Sequence, residues 1–127
     1  MDQKNVVVIG ASADRAKFSN KAVRAYVAQG WRVFPVNPKG GVIEGLKTYP
    51  NVESIPARVN RVTLYLPPEL GMSVLPGIAN ARPEEFFVNP GAESDKLVAA
   101  ARDLGLDPIL ACSIVEIGSS PSEFGED

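Results

Sequence analysis

Gly10, Ala11 and Ser12 stand directly after four β-branched residues, Val6-Val7-Val8-Ile9. Small side chains there let a ligand come close to the backbone, and Ser12 adds a hydroxyl that can donate to a phosphate oxygen. Arg15 and Lys17 follow in a polar loop, where cations can steer and neutralise an anion. Ser19 is a favoured capping residue type and marks the expected start of a helix. The free N–H groups of that helix would face the same loop. The chemistry these residues suit is phosphate binding. The G-x-G-x-x-G pattern of dinucleotide-binding turns is met only at Gly10, because Ser12 and Arg15 hold the second and third glycine places. A ligand-free strand-to-helix turn remains the alternative for this stretch alone.

A second group of residues suits the same ligand class. Asn37, Pro38 and Lys39 follow the apolar run Val33-Phe34-Pro35-Val36. Proteins that bind NAD usually carry an acid near this point for the adenosine ribose. No acid stands here, and Lys39 instead suits a ligand with an additional phosphate on that ribose, as in NADP or coenzyme A.

Other chemistries are excluded by composition. The chain of 127 residues has no histidine and one cysteine, Cys112. That removes histidine-based acid–base catalysis, Ser-His-Asp and Cys-His arrangements, and histidine metal ligation. No metal site and no catalytic set is expected. A net charge of −2 gives no basic field for nucleic acid. No apolar run approaches the roughly 20 residues needed to span a membrane. With no signal peptide pattern at Met1-Asp2-Gln3-Lys4-Asn5 and no pair of cysteines, a cytoplasmic location is expected.

The elements that must position these residues alternate between strand and helix. Val6–Ile9, Trp31–Val36, a strand within Val59–Leu66, Glu85–Asn89 and Pro108–Cys112 read as strands. A helix from Ser19 ends at Gly30, and another runs from Asp95 to Leu104 with Leu97, Val98, Ala101 and Leu104 as its buried stripe. Between them, Leu70–Ala81 reads as broken: one turn after Pro68, then a restart capped by Ser73. An undivided helix across Pro76 would cost on the order of 3 kcal/mol. Residues 51–56 are expected to form one loose helical turn. The segment 119–127 is polar and acidic and reads as a disordered tail beyond a domain of residues 1–118.

Alternation with right-handed crossovers implies a doubly wound α/β sheet of about five parallel strands with helices on both faces. The loops after Ile9, Val36, Leu66 and Asn89 then share its carboxyl edge, where such sheets bind ligands.

The runs Gly10-Ala11-Ser12, Lys17-Phe18-Ser19-Asn20-Lys21, Pro35-Val36-Asn37-Pro38-Lys39-Gly40, Ile43-Glu44-Gly45-Leu46-Lys47, Leu64-Tyr65-Leu66-Pro67-Pro68-Glu69, Asn89-Pro90-Gly91-Ala92-Glu93-Ser94 and the late Cys112 resemble the small stand-alone CoA-binding domain proteins. These are similar to the N-terminal domain of the succinyl-CoA synthetase α subunit. The resemblance implies a Rossmann-like fold with coenzyme A or an acyl-CoA at the carboxyl edge. Gly10, Ala11 and Ser12 would lie at the phosphates, and Asn37, Pro38 and Lys39 by the adenosine, with Lys39 on the ribose phosphate. Tyr65, Leu66, Pro67 and Pro68 would line the groove, and Asn89, Pro90 and Gly91 would approach the pantetheine arm. The synthetase works through a phosphohistidine in a second domain; this chain has no histidine, so that activity is not carried over. The expected role is a non-catalytic binding module, a carrier, a sensor or the partner of an acyl-transfer enzyme. An NAD(P)-binding domain of an oxidoreductase is the alternative. Cys112 reads either as a small buried hydrophobe or as a thiol near that of CoA.

Overall fold

The computed structural model describes residues 3–126. Its organising strand is β1 (Asn5–Ile9), in which Val6 to Ile9 are all buried. There follow α1 (Phe18–Ala28), β2 (Arg32–Val36), and a short antiparallel hairpin of β3 (Val42–Ile43) and β4 (Leu46–Lys47). A 3-10 turn at Val52–Ser54 leads to β5 (Arg61–Leu64), α2 (Pro68–Ala81), β6 (Glu85–Val88), α3 (Asp95–Asp103), β7 (Pro108–Leu110) and a single turn, α4 (Ser113–Glu116). The five long-range strands pair in parallel in the order β2-β1-β5-β6-β7. The chain thus winds one way from β1 to β2, then returns and winds the other way through β5, β6 and β7. Such a reversal leaves a crevice at the carboxyl ends of the two strands where winding begins, here β1 and β5.

Period-two alternation sends the β1 side chains to two cores. Val7 and Ile9 pack with Val62, Leu64, Leu75, Ile78, Phe86 and Leu97, under α2, α3 and the 3-10 turn. Val6 and Val8 pack with Ala22, Val23, Tyr26 and Ile114, under α1 and α4. A strand buried on both faces needs apolar residues at every position, which is why Val6 to Ile9 has no polar member.

Three expectations about elements are corrected. Lys17, not Ser19, caps α1; Ser19 is buried inside the first turn, and no side chain caps this helix. α2 is not broken: it runs through Pro76. Leu75 and Ile78 on either side of Pro76 are buried in the core, so packing outweighs the one lost hydrogen bond. Ser73 does not cap a restart; its hydroxyl donates to the Leu70 carbonyl at 2.7 Å. The last strand stops at Leu110, and Cys112 caps α4, an element absent from the sequence reading.

The segment after Gly118 also differs from the expected frayed tail. Residues 121–123 form a 3-10 turn with a capping box between Ser120 and Glu123. Phe124 packs on the α1-side core with the Arg24 guanidinium over its ring, and Arg24 donates to the Gly125 carbonyl at 2.7 Å. Met1, Asp2 and Asp127 lie outside the described residues. Among the described residues no helix is long and apolar enough to cross a membrane.

Candidate functional site

Two cavities open at the carboxyl edge and meet at Gly10, Lys17 and Leu66. The first, about 610 Å³, lies toward β6 and β7 and is walled by Tyr65, Pro67, Asn89, Pro90, Gly91 and Ser19. Phe18, Ala92, Cys112 and Ile114 complete it. The second, about 660 Å³, lies over β1 and β2 and is walled by Ala11, Ser12, Asn37, Pro38 and Lys39. Its far side comes from the 50–53 segment and from Leu70, Ser73, Val74, Pro76 and Gly77 of α2. The sequence reading named one side of each cavity. Ile114 beyond Cys112 and the wall formed by α2 and the 3-10 turn are not among the expected site residues. Those residues have no local signature; only the packing of α2 against the turn brings them to the edge.

Gly10 is the hinge between the two spaces. Its φ is +85°, a conformation that side chains rarely adopt. A Cβ added there would come within 3.1 Å of the Tyr65 carbonyl carbon and of Leu66. Only glycine lets β1 and β5 end this close together.

The turn after Gly10 is held from three sides. The Gly10 and Ala11 amides both donate to the Val36 carbonyl at 3.2 Å. Asn37 donates from Nδ2 to the Ala11 carbonyl at 2.9 Å and accepts the Lys39 amide at 2.8 Å. Asn20, fully buried, donates to the Ser12 carbonyl at 2.9 Å and to Glu44 at 3.1 Å. Ser12 Oγ accepts the Asp14 amide at 3.0 Å. The amides of Ser12, Ala13, Phe18 and Ser19 at this turn find no acceptor among the described residues. With no acid in the first turn of α1 and no capping side chain, this cluster of N–H groups at a helix N-terminus suits an anion. Lys17 lies beside it and borders both cavities.

Two residues of the sequence-predicted set lie elsewhere. Arg15 borders neither cavity; its Nε stands 3.3 Å from the Glu44 carboxylate. Pro68 is the first residue of α2 and also borders neither. Asn89 borders the first cavity but is 1% exposed and spends its hydrogen bonds inward. It donates to Thr63 Oγ1 at 2.6 Å and to the Leu64 carbonyl at 3.0 Å, and it accepts the Ser113 amide at 2.9 Å. Ser113 in turn meets Thr63 at 2.7 Å and the Tyr65 hydroxyl at 3.5 Å. Burial pushes the Tyr65 phenol well above its usual range, partly offset by the hydrogen bond with Ser113. Among the described residues no group of three or more His, Cys, Asp or Glu could hold a metal ion.

The profile of a family described as a CoA binding domain matches residues 4–118. The α subunit of the ADP-forming acetate–CoA ligase I of Pyrococcus furiosus is 30% identical over 95% of the chain, and the chain spans 29% of that subunit's length. Among solved structures, a conserved hypothetical protein from Pyrococcus furiosus superposes with a TM-score of 0.79 at 30% identity, covering 91% of this chain and 99% of that one. A dinucleotide-forming acetyl-coenzyme A synthetase from Candidatus Korarchaeum cryptofilum, solved with phosphate and ADP, superposes with a TM-score of 0.74 at 25% identity. That match covers 86% of this chain and 26% of the synthetase.

Proposed function

From the premise that the chain belongs to the CoA-binding domain family, we propose that it binds coenzyme A or an acyl-CoA along the carboxyl edge of the sheet, as a binding module without chemistry of its own. The observation that carries this reading is the pair of cavities joined at one anion-suited turn. A CoA molecule has two unlike arms either side of a diphosphate, and the edge offers two spaces either side of unpaired amides. Glycine at position 10 keeps the ends of β1 and β5 close together, so the two spaces meet at one point beside the turn. The adenosine end is assigned to the cavity with Lys39, whose cation suits the ribose phosphate, and the pantetheine arm to the cavity walled by Tyr65, Leu66, Pro67, Pro90 and Gly91. Lys17, between the two, neutralises the diphosphate. Within this reading Asn37 and Asn89 act as braces for the loops that touch the ligand, since their side chains are already engaged.

Isothermal titration with CoA, dephospho-CoA, NAD and NADP tests the reading. CoA is expected to bind most tightly. Loss of the ribose phosphate removes a charge-assisted contact and weakens binding roughly tenfold or more. Lys39→Ala should abolish that difference. Equal binding of CoA and dephospho-CoA by the wild-type chain rejects the Lys39 assignment, and preference for NADP over CoA rejects the ligand.

A further inference from the structure

The second cavity has a charged polarity of its own. Lys17 and Lys39 border it at the loops after β1 and β2, while Glu53 borders it on the far side. Most of its other polar side chains are occupied. Asn37 is engaged at both ends, Asn51 accepts the Ser54 amide and Ser73 donates to Leu70. Glu53 alone among these has a carboxylate with no hydrogen bond or ion pair to any described residue. The carboxylate rests directly against the α2 backbone at Gly77, where an added Cβ would collide with its Oε1. Glycine at a helix interior is unfavourable in itself; here it leaves the space that the carboxylate fills.

Resting on the ligand assignment above, we propose that Glu53 reads the base, accepting a hydrogen bond from the 6-amino group of adenine. A carboxylate repels phosphates, so the Glu53 end takes a neutral part of the ligand that carries a donor. Val52, Val74 and Pro76 flank it with apolar surface suited to the faces of a flat ring. A 6-oxo base would instead turn a carbonyl oxygen toward the carboxylate, leaving two acceptors opposed.

Titrating the full chain with adenosine 3′,5′-bisphosphate and inosine 3′,5′-bisphosphate isolates the amine, because the sugars and phosphates are identical. A hydrogen bond to a charged acceptor predicts that the amino form binds roughly tenfold to a hundredfold more tightly. Glu53→Ala should bring the two to within about threefold. Gly77→Ala should do the same by displacing the carboxylate, and alanine suits a helix, so this variant keeps the fold. Discrimination absent in the wild type, or unchanged in both variants, overturns the proposal while CoA binding stands. Absence of CoA binding altogether overturns the ligand assignment and this inference with it.

Discussion

At Gly10 two demands fall on one residue: a left-handed backbone and a contact surface at 3.1 Å from the next strand's loop. Gly10→Ala should therefore destabilise the chain by roughly 1–3 kcal/mol and weaken CoA binding as well, read by urea denaturation and titration. The three asparagines, Asn20, Asn37 and Asn89, carry the opposite lesson. Ligand contact is expected at Asn37 from its place after β2 and at Asn89 from the family resemblance; both border a cavity, and their amides stitch loops and strands together. A side-chain amide serves either use, and only the neighbours that folding supplies decide between them. The tyrosines give a pH signature. Burial raises the phenols of Tyr26 and Tyr65 above their ordinary value, so the folded state keeps protons that the unfolded chain releases near pH 10. Their contribution is complete below that pH and is lost as the pH rises through the folded-state values. The melting temperature should hold steady across neutral pH and fall above about pH 10, and Tyr65→Phe should flatten the fall.

Among the elements, β1 and β6 are legible because each writes its burial in consecutive residues, while in α3 Leu97 and Ala101 of the expected stripe are buried and Leu104 is exposed at the helix end. The strand run Val6–Ile9 is buried throughout, and Ser94 caps α3 by accepting the Leu97 amide at 3.0 Å. α2 was misread because Pro76 argues locally for a break, while the packing of Leu75 and Ile78 decides otherwise. Four-residue α4 was too short to signal itself, although its polar anchors lie in the alternation of β5. Arg61 and Thr63 project to the α1 side of the sheet, as does Tyr65 in the loop that follows. Ser113 meets the latter two, and Glu116 pairs with Arg61 at 2.5 Å. Arg61 is itself buried, paired also with Glu85 at 2.7 Å and packed between the rings of Trp31 and Phe87. Burial alone would lower its pKa, but the hydrogen bonds with Glu116, Tyr26 and Glu85 raise it instead. Arg61→Ala should cost on the order of 2–3 kcal/mol, less than for a wholly buried pair because both carboxylates keep access to water. Since α4 carries Ile114 of the first cavity wall and follows Cys112, the same variant should loosen that wall, seen as faster reaction of Cys112 with a thiol reagent.

For the whole molecule, a two-faced sheet wound from its middle puts four loops at one edge, and the number of strands and their alternation with helices were enough to foresee that. What could not be read was the division of the edge into two spaces. It depends on Leu66 and Gly10 meeting between them and on α2 standing against the 3-10 turn. A ligand that fills both should stabilise the fold: at a hundredfold excess over Kd the gain is about 2.7 kcal/mol, on the order of 10 °C in Tm. The most direct measurement is a crystal structure of the chain grown with CoA. The adenosine should lie between Lys39 and Glu53, the diphosphate at the turn of Gly10 and the N-terminus of α1, and the pantetheine arm should run past Tyr65 toward Cys112. CoA bound on another face, or with its arms confined to one of the two cavities, would contradict this placement.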